Sequence, residues 1–193
     1  MKLSAKQTVD VLRAAGEPTR LRILALLERE ELAVLELCRV LDQSQPRVSR
    51  HLKLLAEAGL VERFPDGAWV FYRLTGAGRQ HEVIGEVLAR INPDDPVLSR
   101  DRRKLDDVQA ERSEAAQAYF AENAAQWDRL RSLYVSDADV EAKIVQAAGR
   151  SQVRRLVDLG SGTGRMLPLL APQGQQAIGL ALSQQMLDIA RPH

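Results

Sequence analysis

Residues 44–59 read SQPRVSRHLKLLAEAG and place Val48, Leu52 and Leu55 at the spacing of one helical face. Ser44 stands where a helix is capped, Pro46 is tolerated in a first turn, and Gly59 can end the helix. With the three aliphatic residues turned inward, Gln45, Arg47, Ser49, Arg50 and Lys53 are left outward. Just before this helix, LAVLELCRVL (32–41) reads as a short helix, separated from it only by DQS. Upstream, LSAKQTVDVLRAAG (3–16) and PTRLRILALLERE (18–30) are two more helices. The second has Pro18 in its first turn and an apolar stripe of Leu21, Leu24 and Leu27. Downstream, LVERF (60–64) and WVFYRL (69–74) are β-rich and joined by PDGA, where Asp-Gly signals a hairpin. TGAGRQHEVIGEVLARI (75–91) closes the series as a further helix.

A short helix, a tight turn, a second helix with a basic outer face and a hairpin form the order of a winged helix-turn-helix. In such a module the second helix enters the major groove and the hairpin touches the adjacent backbone. Gln can bridge an adenine edge and Arg a guanine edge, while Ser, Arg and Lys can hold phosphates. The expected contacts to double-stranded DNA are Ser44, Gln45, Arg47, Ser49, Arg50 and Lys53, with Arg63 and Arg73 on the hairpin. Taken alone, a helix with basic residues outside is usually a solvated face; the order of elements is what favours DNA. Residues 43–80 hold six Lys/Arg against three acids, a local excess in a chain whose net charge is only +1.

The 193 residues are 45% hydrophobic and 27% charged, the balance of an ordinary globular protein rather than a disordered one. No run approaches the ~18 apolar residues of a membrane span, and MKLSAKQTVD lacks the apolar core of a signal peptide. One cysteine, Cys38, excludes an intrachain disulfide, and a cytoplasmic location is expected.

NPDDPVLSRDRRKLDD, with its two prolines, predicts a linker over residues 92–106, dividing a domain at 1–91 from one at 107–193. Residues 108–134 have the composition of one long helix anchored by Tyr119, Trp127 and Tyr134, and 139–149 continue helical. VRRLVDL and QAIGLAL then read as strands, RMLPLLA and SQQMLDIAR as helices. The fold class is therefore mainly α (α+β): a winged helix-turn-helix domain, a helical linker and an incomplete Rossmann-like α/β segment. Between the first of these strands and its helix lies DLGSGTG, with Gly160, Gly162 and Gly164. Such glycines let a backbone turn sharply and approach a ligand closely, although many glycine runs after a strand are only turns.

EPTRLRILALL, SQPRVSRHLKLLAEAGLVE and GAWVFYRLT resemble the ArsR/SmtB family of bacterial transcriptional repressors over roughly residues 4–91. The resemblance implies a homodimer with the first and last helices of the module at its interface, and base reading by Gln45, Ser49 and Arg50. Many members of that family sense metals or arsenicals through Cys-x-Cys in the third helix. Here Cys38 is followed by Val40 where the second thiol would stand, and one thiolate does not hold a soft metal. His51, His81 and His193 are scattered, so no metal site is expected.

YFAENAAQWDRLRSLY, VDLGSGTGRMLPLLA and IGLALSQQMLDIAR are similar to the start of a class I S-adenosylmethionine-dependent methyltransferase, over about residues 115–193. The resemblance implies Asp158, Gly160, Ser161, Gly162, Thr163 and Gly164 as cofactor-binding residues, with Ser183 and Met186 nearby. It also implies a carboxylate at the end of the second strand to hold the ribose hydroxyls, where this chain has Ala181. Only 29 residues follow Gly164 and no acceptor site can be pointed to, so methyl transfer and catalytic residues are not expected. The expected function is a dimeric repressor whose second part senses S-adenosylmethionine or S-adenosylhomocysteine. The competing readings are a methyltransferase carrying an accessory DNA-binding domain, and a second part that only oligomerises.

Overall fold

The structure is a computed structural model and describes residues 3–67, 69–76, 78–133, 136–149, 155–171 and 176–191. Two compact units divide the chain, Met1–Ala110 and Glu111–His193.

The first unit opens with α1 (Ala5–Ala15), where Ser4 and Gln7 exchange side-chain to backbone hydrogen bonds in a capping box. Next come α2 (Pro18–Leu27), β1 (Leu32–Ala33), α3 (Val34–Leu41) and α4 (Gln45–Glu57). Strands β2 (Val61–Asp66) and β3 (Trp69–Leu74) form the hairpin, followed by α5 (Arg79–Ala89). The antiparallel sheet has the order β1-β3-β2. Ile23 and Leu24 of α2, Leu37 and Val40 of α3, and Val48, Leu52 and Leu55 of α4 are fully buried in one core. That core fixes which side of α4 is left to the solvent.

Most of the span expected to link two domains, residues 92–106, is helical: α6 runs unbroken from Pro96 to Asn123. The Asp95 side chain accepts from the Val97 and Leu98 amides at 3.0 Å each, and Pro96 opens the first turn. The prolines therefore start a helix instead of breaking one. Asp101, Leu105 and Val108 form its buried seam, and the division between units falls inside α6, after Ala110. The long helix expected over 108–134 also ends early. At Asn123 the side-chain amide donates to the Tyr119 carbonyl at 2.8 Å, and a 3-10 turn (Ala124–Gln126) follows before α7 (Trp127–Ser132). Tyr134 lies outside the described residues.

In the second unit, α8 (Asp137–Ala148) precedes β4 (Arg155–Leu159), α9 (Met166–Leu170), β5 (Gln176–Leu180) and α10 (Gln184–Ala190). The strands pair in parallel, Val157 opposite Ile178 and Leu159 opposite Leu180. All four of these side chains are exposed, Leu159 to 78%.

Candidate nucleic-acid interface and glycine-loop pocket

The link from α3 to α4 turns on Asp42, whose φ of 55° is left-handed. Its amide and that of Gln43 both donate to the Cys38 carbonyl, closing the helix end. Lys104 hydrogen-bonds the Asp42 carboxylate, and Arg100 lies 4.0 Å away; together they hold that carboxyl below its usual range, Lys104 contributing most. Gln43 Nε2 donates to Thr19 Oγ1 at 3.2 Å, tying the turn to α2. Ser44 occupies the N-cap position with an extended backbone, and its carbonyl accepts from the Arg47 and Val48 amides at 3.1 Å. Its hydroxyl makes no cap hydrogen bond, which differs from the expected capping role and leaves that group at the exposed start of α4.

On α4, Gln45, Arg47, Ser49, Arg50 and Lys53 are exposed over the buried Val48, Leu52 and Leu55. Arg47, Arg50 and the exposed Arg63 of β2 have no carboxylate partner among the described residues. Lys53 Nζ is 3.8 Å from Glu57, a well-exposed pair that leaves the ammonium open to other anions. Arg73 behaves differently. Its Nε lies 2.6 Å from Glu62 and its Nη1 3.3 Å from Glu31, and its guanidinium sits 4.8 Å from the centre of the Phe64 ring. The Glu62 hydrogen bond leads in raising its pKa. Two carboxylates thus share this half-exposed cation, which the hairpin presents beside α4. His51 is half-buried, with Nδ1 3.5 Å from Glu17. Burial pushes its pKa down, Glu17 opposes this, and Arg20, Arg47 and Arg50 push the same way as burial. The outward charge therefore belongs to the arginines and Lys53.

In the second unit, Gly160, Gly162 and Gly164 all have left-handed φ, at 80°, 55° and 78°. Gly164 also packs tightly: a Cβ there would stand 2.8 Å from the Ala190 Cβ. The loop closes on its own unit. Gly160 and Ser161 donate their amides to the Leu180 carbonyl at 2.8 and 2.9 Å, and Gly164 donates to the Ser161 carbonyl at 2.8 Å. Thr163, buried, donates its hydroxyl to Asp128 at 2.9 Å. Asp158 Oδ2 and Ser161 Oγ are buried without a hydrogen-bond partner among the described residues. Beside the loop is a cavity of about 250 Å³ whose wall includes Gly160, Gly162, Phe120, Trp127, Ser183 and Met186. Asp158, Ser161, Thr163 and Gly164 are not part of that wall. Phe120, Trp127 and Met186 make much of that wall apolar. The wall also includes Ala181, whose side chain accepts no hydrogen bond. Sequence reasoning did not find Phe120 or Asp128 at this site; the aromatic spacing on the preceding helix was the one signal for the former.

An exposed polar face on the second helix of a tight helical pair, buttressed by an antiparallel hairpin, defines a winged helix-turn-helix protein. A family model described as "Bacterial regulatory protein, arsR family" matches residues 17–63. The arsenical resistance operon repressor of Escherichia coli is 48% identical over 68 residues, 35% of this chain and 58% of that protein. This chain thus spans little more than half the length of that relative. An uncharacterized HTH-type transcriptional regulator of Methanocaldococcus jannaschii is 38% identical over 80 residues, 41% of this chain and 89% of that protein. The solved structure of reduced HlyU from Vibrio cholerae is 35% identical, covers 45% of this chain and 88% of its own, and superposes with a TM-score of 0.40. The chain belongs to the arsR family of bacterial regulatory proteins.

Proposed function

We propose that the protein is a transcriptional repressor that binds operator DNA as a homodimer and responds to an adenosyl ligand in its second unit. The DNA reading is carried by one observation: Gln45, Arg47, Ser49 and Arg50 stand exposed along α4 above a fully buried aliphatic seam. A solvated face would need no such neighbours, but Arg63 extends the uncompensated charge onto the hairpin. The similarity to an arsenical resistance operon repressor agrees with repression. Exposed Val9 and Leu12 on α1, which packs with α5, support a dimer formed through those two helices.

The test uses fluorescence anisotropy with a duplex enriched by the protein from a randomised library. Each phosphate neutralised adds about −0.9 to the slope of log K against log salt. A slope steeper than about −3 is expected from Arg47, Arg50, Lys53 and Arg63 acting on each half-site. A flat salt dependence would refute the assignment.

For the second unit we read the 250 Å³ cavity as the beginning of a methyltransferase-like, Rossmann-type pocket used for sensing. Parallel β4 and β5, the three left-handed glycines and the aromatic wall support this. Bound there, S-adenosylmethionine would supply an activated methyl group; these residues offer Phe120, Trp127 and Met186 to hold its apolar parts. Calorimetry with S-adenosylhomocysteine tests the reading. Weak saturable binding is expected, tightened at least about tenfold by Ala181→Asp, because hydrogen bonds to a charged group contribute ~1.5–3 kcal/mol. Absence of heat with both proteins sinks the ligand assignment and leaves the DNA reading standing.

A further inference from the structure

A second cavity, of about 590 Å³, opens in the same unit among α6, α7, α8 and α9. Tyr119, Phe120, Trp127, Leu130, Ile144 and Met166 contribute its apolar wall. The aromatic rings pack edge to face, Tyr119 to Phe120 at 6.0 Å and Phe120 to Trp127 at 5.1 Å between centroids. Phe120 and Trp127 also belong to the wall of the glycine-loop cavity, so one aromatic pair serves both.

Polar groups gather on one side. Arg131 Nε donates to Asp137 at 3.0 Å, and Arg165 Nη1 lies 2.9 Å from the other oxygen of Asp137 while its Nε engages Glu141. Arg131 Nη2 is 3.9 Å from Asp128 but is buried and has no hydrogen-bond partner among the described residues. That donor calls for an acceptor. The two guanidinium groups already face the three carboxylates of Asp128, Asp137 and Glu141, so the cluster is net negative and disfavours an added anion. The carboxylates are in turn committed to arginines, which leaves little for a cation beside Arg131. A neutral acceptor meets both conditions. The volume lies in the range of small-molecule sites.

We infer that this cavity binds a neutral aromatic molecule carrying a carbonyl or hydroxyl oxygen, its rings against Tyr119, Phe120 and Trp127 and its oxygen accepting from Arg131 Nη2. This assignment stands apart from the DNA and adenosyl readings and is measured without either ligand.

The probe is prodan, a neutral naphthalene bearing a ketone, titrated into the full chain with Trp69→Phe so that Trp127 remains the tryptophan donor. Saturable binding of one probe per chain is expected, with a blue-shifted emission and energy transfer from Trp127. Val140→Trp, at the partly exposed rim of the cavity, fills the space and weakens binding more than tenfold. Arg131→Lys keeps a cation beside Asp137 but removes the planar donor. It is expected to weaken prodan about tenfold, the scale of a charged hydrogen bond, and to leave 2-dimethylaminonaphthalene, which has no ketone, unchanged. Non-saturable binding, absence of transfer from Trp127, or prodan affinity untouched by Val140→Trp overturns the site. Equal losses of prodan and the ketone-free probe in Arg131→Lys overturn the role of Arg131.

Discussion

Changing Ser49 and Arg50 together to Ala lowers operator affinity by roughly 10- to 2,000-fold for each half-site. A bidentate arginine on a base edge is worth about 1–3 kcal/mol of discrimination, and a hydroxyl hydrogen bond adds about 0.5–1.5 kcal/mol. Both side chains are exposed, and neither is held by a carboxylate among the described residues. Such surface changes usually shift stability by no more than about 0.5 kcal/mol, so lost binding would not come from lost folding. If Arg50 holds a phosphate instead of a base, the affinity loss is similar for every duplex and the salt slope falls by about 1. If it reads a base, the loss is confined to the preferred duplex. Arg73→Ala supplies the contrast, since Glu62 and Glu31 already balance that charge and little change in affinity should follow. An unaltered affinity and slope for the double variant would mean that α4 does not face DNA.

That α4 could be read in advance while the ion pairs of Arg73 could not has a physical basis. Val48, Leu52 and Leu55 carry a helical period that burial enforces, and all three are at 0% exposure. The hairpin was legible because Asp-Gly between β-formers favours a turn, and Gly67 takes a φ of 57° there. The same turn fixes register, placing Glu62 opposite Arg73. Carrying the hairpin reading one step further, to cross-strand pairs, would have paired the arginine with an acid. Strand β1 had no such signal. It is two residues long and exists because β3 offers an edge to Leu32 and Ala33.

The glycine loop was legible as a loop, but its use of amides was not. The acceptor for Gly160 and Ser161 is the carbonyl of Leu180 on the neighbouring strand, which only the parallel pairing brings near. Residues that line the adjoining cavity from α6, Phe120 among them, are likewise placed by tertiary packing. The start of α6 was hidden by its prolines, and its seam by charge. Asp101 interrupts the apolar spacing with a group that looks solvated, because the arginine that neutralises it is 79 residues away in the chain.

That arginine makes Asp101 the most sensitive polar position in the first unit. Asp101 is 1% exposed and receives two hydrogen bonds from Arg22, from Nε at 2.6 Å and Nη2 at 2.8 Å. Asp101 leads in raising the Arg22 pKa. In Asp101→Ala the guanidinium keeps, among the described residues, one hydrogen bond, at 3.5 Å to the Leu41 carbonyl, with Asp42 and Glu17 acting only at longer range. Breaking a buried pair from one side typically costs about 3–5 kcal/mol, since the remaining charge is left desolvated. A domain has roughly 5–15 kcal/mol in total, so a large drop in the denaturant midpoint of the first unit is expected. Replacing both partners, Arg22→Met with Asp101→Leu, should recover most of that loss, because a well-packed apolar pair carries no desolvation penalty. The two variants separate charge from packing. If Asp101→Ala costs under about 1 kcal/mol, water reaches Arg22 and the pair is not buried in solution. The pair also bears on function, because Arg22 touches Leu41 while Lys104, on the same helix as Asp101, holds Asp42 at the turn into α4. Loosening α6 should therefore lower DNA affinity even where Asp101→Ala remains folded, whereas the apolar double variant, which keeps α6 packed, should bind nearly as the parent does.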